Sequence, residues 1–392
     1  MVSKSQHERW MARALQLARR GEALASPNPL VGAVLVRDGR VVGEGFHTYA
    51  GRKHAEIVAL ERAGRKARGA TLYINFEPCC HTGRTGPCTD ALIAAGVRRV
   101  VAAMRDPNPL VAGRGFARLR RAGIRVDVGL YATEAKRLNE AFAKWIRTGL
   151  PFVTLKSAMT LDAKIAAPVA QAFQPVHHPR RHSRKGASIT WITSPESRAE
   201  VQRMRHASDA LLTGIGTVLA DDPRLSDRTA LPRRRRLLRV VLDSRLRLPL
   251  PSKLVRSARS PDTAGRSDVL VFTLADPDST RARNLRQAGV EVVRVASRGG
   301  HVDLGAAMRE LGRRQITSVL IEPGAKLARA AAQSGVVDKI VLFVAMQTMP
   351  GGLAIDADRL LGRKRKSAAR VMLRHCGPDL VMEGYLRDAY IS

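Results

Sequence analysis

Three side chains suited to a soft metal constrain this chain more than any other feature. His54 stands in His54-Ala55-Glu56, Cys79 in Pro78-Cys79-Cys80-His81, and Cys88 in Pro87-Cys88. The periodicity predicts a helix over His54–Ala67, a strand over Thr71–Phe76 and a helix over Thr89–Ala95. Each donor therefore lies where one element meets the next. A fold that uses all three must bring two helix starts and one strand end to a single point.

One imidazole and two thiolates suit tetrahedral zinc with a fourth position open for water. Glu56, two residues from the histidine, is placed to shuttle protons rather than to ligate. A His-x-Glu pair followed by Pro-Cys and a second cysteine is the pattern of zinc deaminases acting on bases. The generic spacing between the cysteines is two residues; here eight intervene, and one of them is Arg84. Cys80 and His81 are spare potential ligands.

Composition narrows the classes further. The chain has 392 residues, 45% of them apolar, enough for two or three domains with real cores. It contains 67 Lys and Arg against 34 Asp and Glu, a net charge of +33. That balance suits anionic partners such as phosphorylated metabolites, dinucleotides or nucleic acid. Eight Phe, five Tyr and three Trp are few for a protein that stacks successive bases. No apolar run is long enough for a membrane span. Three of the four cysteines cluster at 79–88, which points to a reduced, cytoplasmic setting rather than a disulfide framework. Residues 7–20 read as a packed amphipathic helix, not as a transit peptide.

Two α/β patterns follow one another, with the boundary at Gly149-Leu150-Pro151, giving units at 1–148 and 149–392. The first has strands at Val31–Val36 and Val41–Phe46 joined by Asp38-Gly39, a hairpin signal. Strands at Val97–Met104 and Arg125–Val128 and helices at Phe116–Ala122 and Thr133–Arg147 complete it. The second has strands at Phe152–Ser157, Ala210–Thr213, Arg239–Leu242, Val269–Leu274, Val290–Val295, Ser318–Ile321 and Lys339–Val344. Its helices fall at Pro195–His206, Leu304–Arg313 and Lys326–Gln333. A basic insertion at about 168–188, the Arg233–Arg236 run and residues 363–366 read as solvated loops.

The segment EPCCHTGRTGPCTDALIAAGVRRVV at 77–101 resembles the deaminase half of the bifunctional riboflavin-biosynthesis deaminase/reductases, the RibD family. So do SPNPLVGAVLV at 26–36, GEGFHTYAGRKHAE at 43–56 and DPNPLVAGRGF at 106–116. The resemblance covers nearly the whole chain in order. It implies a cytidine-deaminase-like α/β/α domain followed by a dihydrofolate-reductase-like α/β domain. It implies hydrolytic deamination of a diamino-ribosylamino-pyrimidinone 5′-phosphate, then reduction of the ribosyl to the ribityl chain by NADPH. Zinc would be held by His54, Cys79 and Cys88, with Glu56 as the catalytic proton carrier. Asn28 and His47 would face the pyrimidine, and Arg84 and Asn108 would lie near the ribose phosphate. The partner is thus a small phosphorylated pyrimidine, with no membrane and no specific nucleic acid, and the family resemblance suggests a homo-oligomer.

FVTLKSAMTLDAKI at 152–165, TWITSPESRAEVQRMRHASDALLTGIGTVLADDPRL at 190–225 and VVLDSRLRLP at 240–249 carry the resemblance into the reductase. They imply an NADPH site at Ala158, Trp191, Thr217, Asp221, Ser244 and the run Gly324, Ala325, Lys326, Leu327, Ala328, Arg329 and Ala330. They imply a reductase substrate site at Ile189, Arg205, Leu225, Arg228 and Glu322, with Lys156 as a polar neighbour of the reacting sugar. Four positions depart from the family pattern. Gly86 replaces a second proline in the cysteine loop. Ile189 replaces a serine, Ala163 a glycine, and Pro323 the small residue after the glutamate. Proline removes an N–H at a point where phosphate could bind. These departures leave open a deaminase whose second unit reduces weakly. A nucleic-acid base deaminase, suggested by the charge, is opposed by the long cysteine loop and the reductase-like second half.

Overall fold

The computed structural model describes residues 4–49, 53–81, 86–164, 192–258, 267–348 and 370–391. The expected insertion at 168–188, residues 363–366, Arg84, Ile189 and Trp191 lie outside them.

The first unit is a five-stranded sheet between helices. Its strands are β1 (Gly32–Arg37), β2 (Arg40–Phe46), β3 (Thr71–Ile74), β4 (Arg99–Ala102) and β5 (Arg125–Val128), in the order β2-β1-β3-β4-β5. β1 runs antiparallel to β2 and β3, and β3, β4 and β5 are mutually parallel. Asp38 and Gly39 both take positive φ, 51° and 71°, as a tight hairpin turn requires. Helix α1 (Lys4–Arg19) buries Met11, Ala14, Leu15, Leu17 and Ala18 against the sheet.

Helix α2 (Ala55–Ala63) lies unusually close to β2. A Cβ on Gly43 or Gly45 would come within 2.2 Å of the Ala59 or Ala55 carbonyl oxygen. Only glycine permits that approach. The short 3-10 turn Gly64–Ala67 ends the stretch expected to be one helix. Helices α3 (Cys88–Ala94) and α4 (Arg114–Arg121) complete the layers.

The helix expected over Thr133–Arg147 is two helices, α5 (Ala132–Leu138) and α6 (Glu140–Thr148). The break is Asn139, which is almost fully buried. Its side chain accepts from the Leu30 N–H at 2.8 Å and donates to the Leu30 carbonyl at 3.1 Å. Pairing a distant loop's backbone outweighs helix continuity here.

The second unit is a nine-stranded sheet. Its strands are β6 (Phe152–Thr160), β7 (Ala210–Gly214), β8 (Leu238–Leu242), β9 (Val269–Thr273), β10 (Glu291–Arg294), β13 (Ser318–Ile321), β14 (Lys339–Ala345), β15 (Arg370–Cys376) and β16 (Asp379–Tyr385). A separate ribbon pairs β11 (Ser297–Arg298) with β12 (His301–Val302). The sheet order is β10-β9-β8-β7-β13-β6-β14-β16-β15, parallel up to β14 and antiparallel beyond. Helices α7 (Pro195–Ala207), α8 (Ile215–Asp221), α9 (Lys253–Arg256), α10 (Thr280–Gln287), α11 (Leu304–Arg313) and α12 (Ala325–Ser334) surround it. The central strands are near-continuous apolar runs because both faces are covered. The β15–β16 pair, α8, α9 and α10 were not expected. Gly377 at φ 59° and Pro378 between two alternating segments were the available signal for the first of these.

The Arg233–Arg236 run is a loop, but only Arg236 is exposed in it, so solvation is not the role of the other three. Arg233 is three-quarters buried or more and donates to the carbonyls of His206 (2.6 Å) and Ser208 (2.7 Å). Arg234 and Arg235 reach the first unit at Ser26. Four arginines in a row look like surface, but each planar fork can satisfy several carbonyls at once.

The units also meet at Lys144 of α6, whose ammonium lies 2.6 Å from the Asp338 carboxylate. Asp338 accepts from the Val153 N–H as well, at 2.7 Å. Burial lowers the pKa of Lys144 and raises that of Asp338, so each needs the other to stay ionised. Lys144→Ala strands a buried carboxylate and is expected to destabilise the chain by about 3 kcal/mol or more, read by urea unfolding.

Candidate active site

α2 begins immediately after His54, β3 leads into Glu77-Pro78-Cys79, and α3 opens on Cys88. The three donors converge as the spacing anticipated. His54 Nδ1 lies 3.1 Å from Cys88 Sγ and 3.5 Å from Cys79 Sγ. All three donor atoms lie within 4.8 Å of one another. Zn–N and Zn–S bonds of about 2.0 and 2.3 Å at a tetrahedral angle require N···S near 3.5 Å. The donor set therefore fits zinc. Cys80 and His81 stand outside the cluster.

Protons in this cluster are shared. The bond to Cys88, then that to His54, pulls Cys79 down to about 4. His54, bonded to that thiolate, is pushed up to about 9, and the Cys79 thiolate pushes Cys88 up. A divalent cation takes the place of these protons. Glu56 is 3% exposed, and burial pushes it up to about 7. A carboxyl poised there can both give and take a proton near neutrality.

A cleft of about 370 Å³ opens over these residues. Asn28 and His47 line it, their side chains 2.9 Å apart. His47 Nδ1 is 2.8 Å from the Lys53 carbonyl and must donate to it. Burial lowers the pKa of His47, so the ring is neutral and its Nε2 accepts from the Asn28 amide. Asn28 keeps its side-chain oxygen for a ligand. Asn108 also lines the cleft, but its side-chain oxygen accepts from the Leu110 N–H at 3.0 Å. Its amide N–H groups are what it can offer.

Several lining groups went unread in the sequence. Glu77 accepts from the N–H groups of Asp106, Gly113 and Phe116, at 3.1, 2.9 and 3.2 Å. It thereby ties the Asn108 loop to the cysteine loop. Its place beside Pro78-Cys79 was the available signal. Phe142 and Trp145, three apart on α6, also line the cleft. Gln315, from the second unit, stands at the rim, and no local pattern marked it.

The second unit gathers its candidates where β6, β7 and β13 end, the crevice that parallel sheets present to ligands. Arg205 of α7 grips Glu322 with two bonds of 2.7 Å and donates to the Ser226 carbonyl at 3.0 Å. Thr213 Oγ1 donates to the Glu322 carbonyl at 2.7 Å. Lys156 has its pKa lowered by burial and raised by Glu322, and its ammonium lies over the Phe343 ring at 5.6 Å. Arg228 is exposed and interacts with Glu322 only through charge. Leu225 is buried in the core at φ 54°, so its backbone is what a ligand could meet.

α12 starts at Gly324, and no side chain caps its first turn. A Cβ on Gly324 would sit 3.2 Å from Thr217 Oγ1. This narrow cradle of free N–H groups beside a hydroxyl fits a phosphate of NADPH. Ala325 and Lys326 form the first turn, but Ala328 packs into the core, Leu327 packs against it, and Arg329 and Ala330 face away into solvent. Ala158 is half-buried on β6, and Asp221 is exposed at the end of α8. Ser244 accepts from the Val302 N–H at 3.1 Å, so its hydroxyl is engaged within the fold. Ala163 holds φ 60°, the left-handed value for which glycine is the usual residue, at a cost of about 1 kcal/mol.

Two family models match the chain. Residues 4–104 match the cytidine and deoxycytidylate deaminase zinc-binding region, and residues 151–352 match the RibD C-terminal domain. The riboflavin biosynthesis protein RibD of Escherichia coli (strain K12) is 40% identical over 96% of this chain and 98% of its own length. RibD of Aquifex aeolicus is 37% identical over 95% and 96%. The chain belongs to the RibD family. A solved structure of Acinetobacter baumannii RibD, 35% identical, superposes with a TM-score of 0.77 over 97% of this chain and 99% of its own. The deaminase/reductase structure from Thermotoga maritima, 33% identical, gives 0.78 over the same shares. As in the RibD family, this chain joins a zinc-dependent deaminase to an NADPH-dependent reductase and acts in riboflavin biosynthesis on a small phosphorylated pyrimidine. No helix among the described residues is long and apolar enough to cross a membrane.

Cys88→Ser is expected to lose zinc; the check is metal content by mass spectrometry, and full occupancy would refute the ligand set. Pro323→Gly restores an N–H beside the Gly324 cradle and is expected to tighten NADPH several-fold by titration calorimetry. An unchanged affinity would leave the phosphate to the N–H groups of Gly324, Ala325 and Lys326 alone.

Proposed function

We propose that Glu56 is the proton carrier of the deamination and that Asn28 and His47 hold the pyrimidine against it. The buried Glu56 beside a zinc-fitting donor set is the observation that carries this reading. His54, Cys79 and Cys88 would hold zinc, which would supply a Lewis acid that makes water nucleophilic near neutral pH. Glu56 is the group placed to take a proton from the attacking water and to deliver it to the ring nitrogen next to the amine-bearing carbon. It then carries a second proton to the departing amine, so that water is consumed and ammonia leaves. The free Asn28 oxygen accepts from the ring's own N–H or amino group. Phe142 and Trp145 cover the apolar face of the base. Arg84 and the Asn108 amide take the 5′-phosphate, since a guanidinium pairs with phosphate through two parallel bonds.

In the second unit NADPH supplies a hydride to the sugar carbon that bears the amine. The chain's own task is to orient the sugar and to manage the proton that the ring oxygen gains on opening. Lys156, low in pKa for a lysine and facing Glu322, is the donor placed for it. The Arg205–Glu322 pair fixes Glu322, and Arg228 adds positive charge for the phosphate. Thr217 and the amides after Pro323 hold the cofactor's phosphate. Ile189 and Trp191 belong to the same reading by resemblance.

Two coarser features extend it. The free cysteines fit a reducing, cytoplasmic setting. Val371 and Leu373, 53% and 65% exposed on the outer strand β15, fit a homo-oligomer in which a second copy covers that edge.

A single-pot assay on the diamino-ribosylamino-pyrimidinone 5′-phosphate tests both halves, with ammonia release and NADPH oxidation read separately. Both are expected, and ammonia without oxidation would refute the reductase assignment. Glu56→Gln is expected to keep its zinc and to lose deamination by a factor of about a hundred or more. Normal turnover in that variant would overturn the proton-carrier role.

A further inference from the structure

The loop that bears Asn28 is gripped from the other unit. Arg234 and Arg235, in the connection that leads into β8 of the reductase, both reach Ser26, two residues before Asn28. Arg234 donates from its backbone N–H to the Ala23 carbonyl at 2.9 Å and from Nε to the Ser26 carbonyl at 2.8 Å. Its guanidinium lies 4.0 Å from the centre of the Tyr49 ring, and Tyr49 lines the deaminase cleft with His47. Arg235 donates through Nη2 to Ser26 Oγ at 2.8 Å and to the Gln315 carbonyl at 2.8 Å. Ser26 Oγ in turn donates to Asp209 at 2.7 Å. Asp209 is itself held by the N–H and hydroxyl of Thr317, both at 2.8 Å.

This network is rigid at its reductase end. Asp209 and Thr317 sit at the starts of β7 and β13, central strands of the large sheet, and both are buried. Gln315, whose carbonyl takes one of the Arg235 bonds, holds φ 58°. That left-handed backbone, unusual for a glutamine, turns its carbonyl toward Arg235. At the deaminase end the chain runs from Ser26 to Asn28, whose amide meets His47 at 2.9 Å. Beyond Asn28 the first unit holds Leu30 through Asn75 and Asn139, and His47 packs edge-on against His54 at 5.2 Å; the Ser26 side of the loop is the side held from the second unit.

We infer that Arg235, with Arg234 beside it, is a positioning residue for deamination: the reductase unit sets where Asn28 and His47 meet the pyrimidine. This rests on the reading that Asn28 contacts the base. Arg235 touches no reacting atom and acts only through the Ser26–Asn28 loop. The two catalytic units are then not independent, because one supplies the fixed frame for the other's substrate contact.

The test is steady-state deamination by the full-length zinc-loaded enzyme. Arg235→Ala is expected to raise the deaminase KM about tenfold while kcat shifts far less, because a contact displaced by a fraction of an ångström weakens substrate placement. Zinc content and the reductase rate on the deaminated substrate are expected to stay as in the parent. Arg235→Lys, which keeps one donor, is expected to recover part of the KM. Ser26→Ala, which removes only the hydroxyl that bonds Arg235 and Asp209, is expected to act in the same direction. In an Asn28→Ala background Arg235→Ala is expected to add nothing, the non-additivity of residues in one network. A full-sized effect of Arg235→Ala on top of Asn28→Ala would overturn the route through Asn28. So would a parent-like KM in Arg235→Ala beside a raised KM in Asn28→Ala. A parent-like KM in Asn28→Ala would overturn the base contact and this route together.

Discussion

A tetrahedral cation accepts donors only at a narrow set of separations, and that requirement organises the first unit. His54, Cys79 and Cys88 come from three elements that local sequence does not connect. They meet because α2 lies directly on the hairpin, a contact that any side chain at Gly43 or Gly45 would block. The same contact drives Glu56 into an environment dry enough to raise its pKa to about 7. One close helix–strand contact thus places both His54 and Glu56. Glu77 extends the order outward, since its buried carboxylate gathers three backbone N–H groups of the loop that faces the substrate.

The charge of +33 has a different meaning once the partners of the arginines are known. Arg205 is spent on Glu322, Arg239 on Asp268, and Arg314 on Glu291 and Glu310. Arg233 satisfies backbone carbonyls that would otherwise end buried without donors. Each arginine paired with a carboxylate drops out of the net charge, so the excess of 33 rests on the other basic side chains, many of them exposed. What remains near the two crevices suits a substrate and a cofactor that both carry phosphate.

The convergence of His54, Cys79 and Cys88 was legible because ligand chemistry demands particular residue types at recognisable element boundaries. The parallel strands were legible as apolar runs. The break at Asn139 was not, since it depends on the backbone of Leu30, more than a hundred positions away. The arginine run was misread for a related reason. A guanidinium looks the same in sequence whether it faces water or four carbonyls, and only the fold distinguishes them. In the NADPH region the resemblance marked the run from Gly324 to Ala330, yet helical geometry turns Ala328 inward and leaves only the first turn facing the crevice. Gln315 could not be found at all, because its place at the deaminase rim comes from how two units dock.

The last described residues close back onto the beginning of the chain. The Tyr390 hydroxyl donates to the Lys136 carbonyl, Arg147 donates to the Ala389 carbonyl, and Lys144 waits for Asp338. During synthesis these helices of the first unit leave the ribosome long before the groups that satisfy them; Asp338 follows Lys144 by 194 positions. Lys144 therefore leaves the ribosome solvated, and its contact with Asp338 forms only after much of the second unit has been made. For this chain vectorial synthesis leaves the seam between the two units to be closed last, by residues from the far end of the sequence.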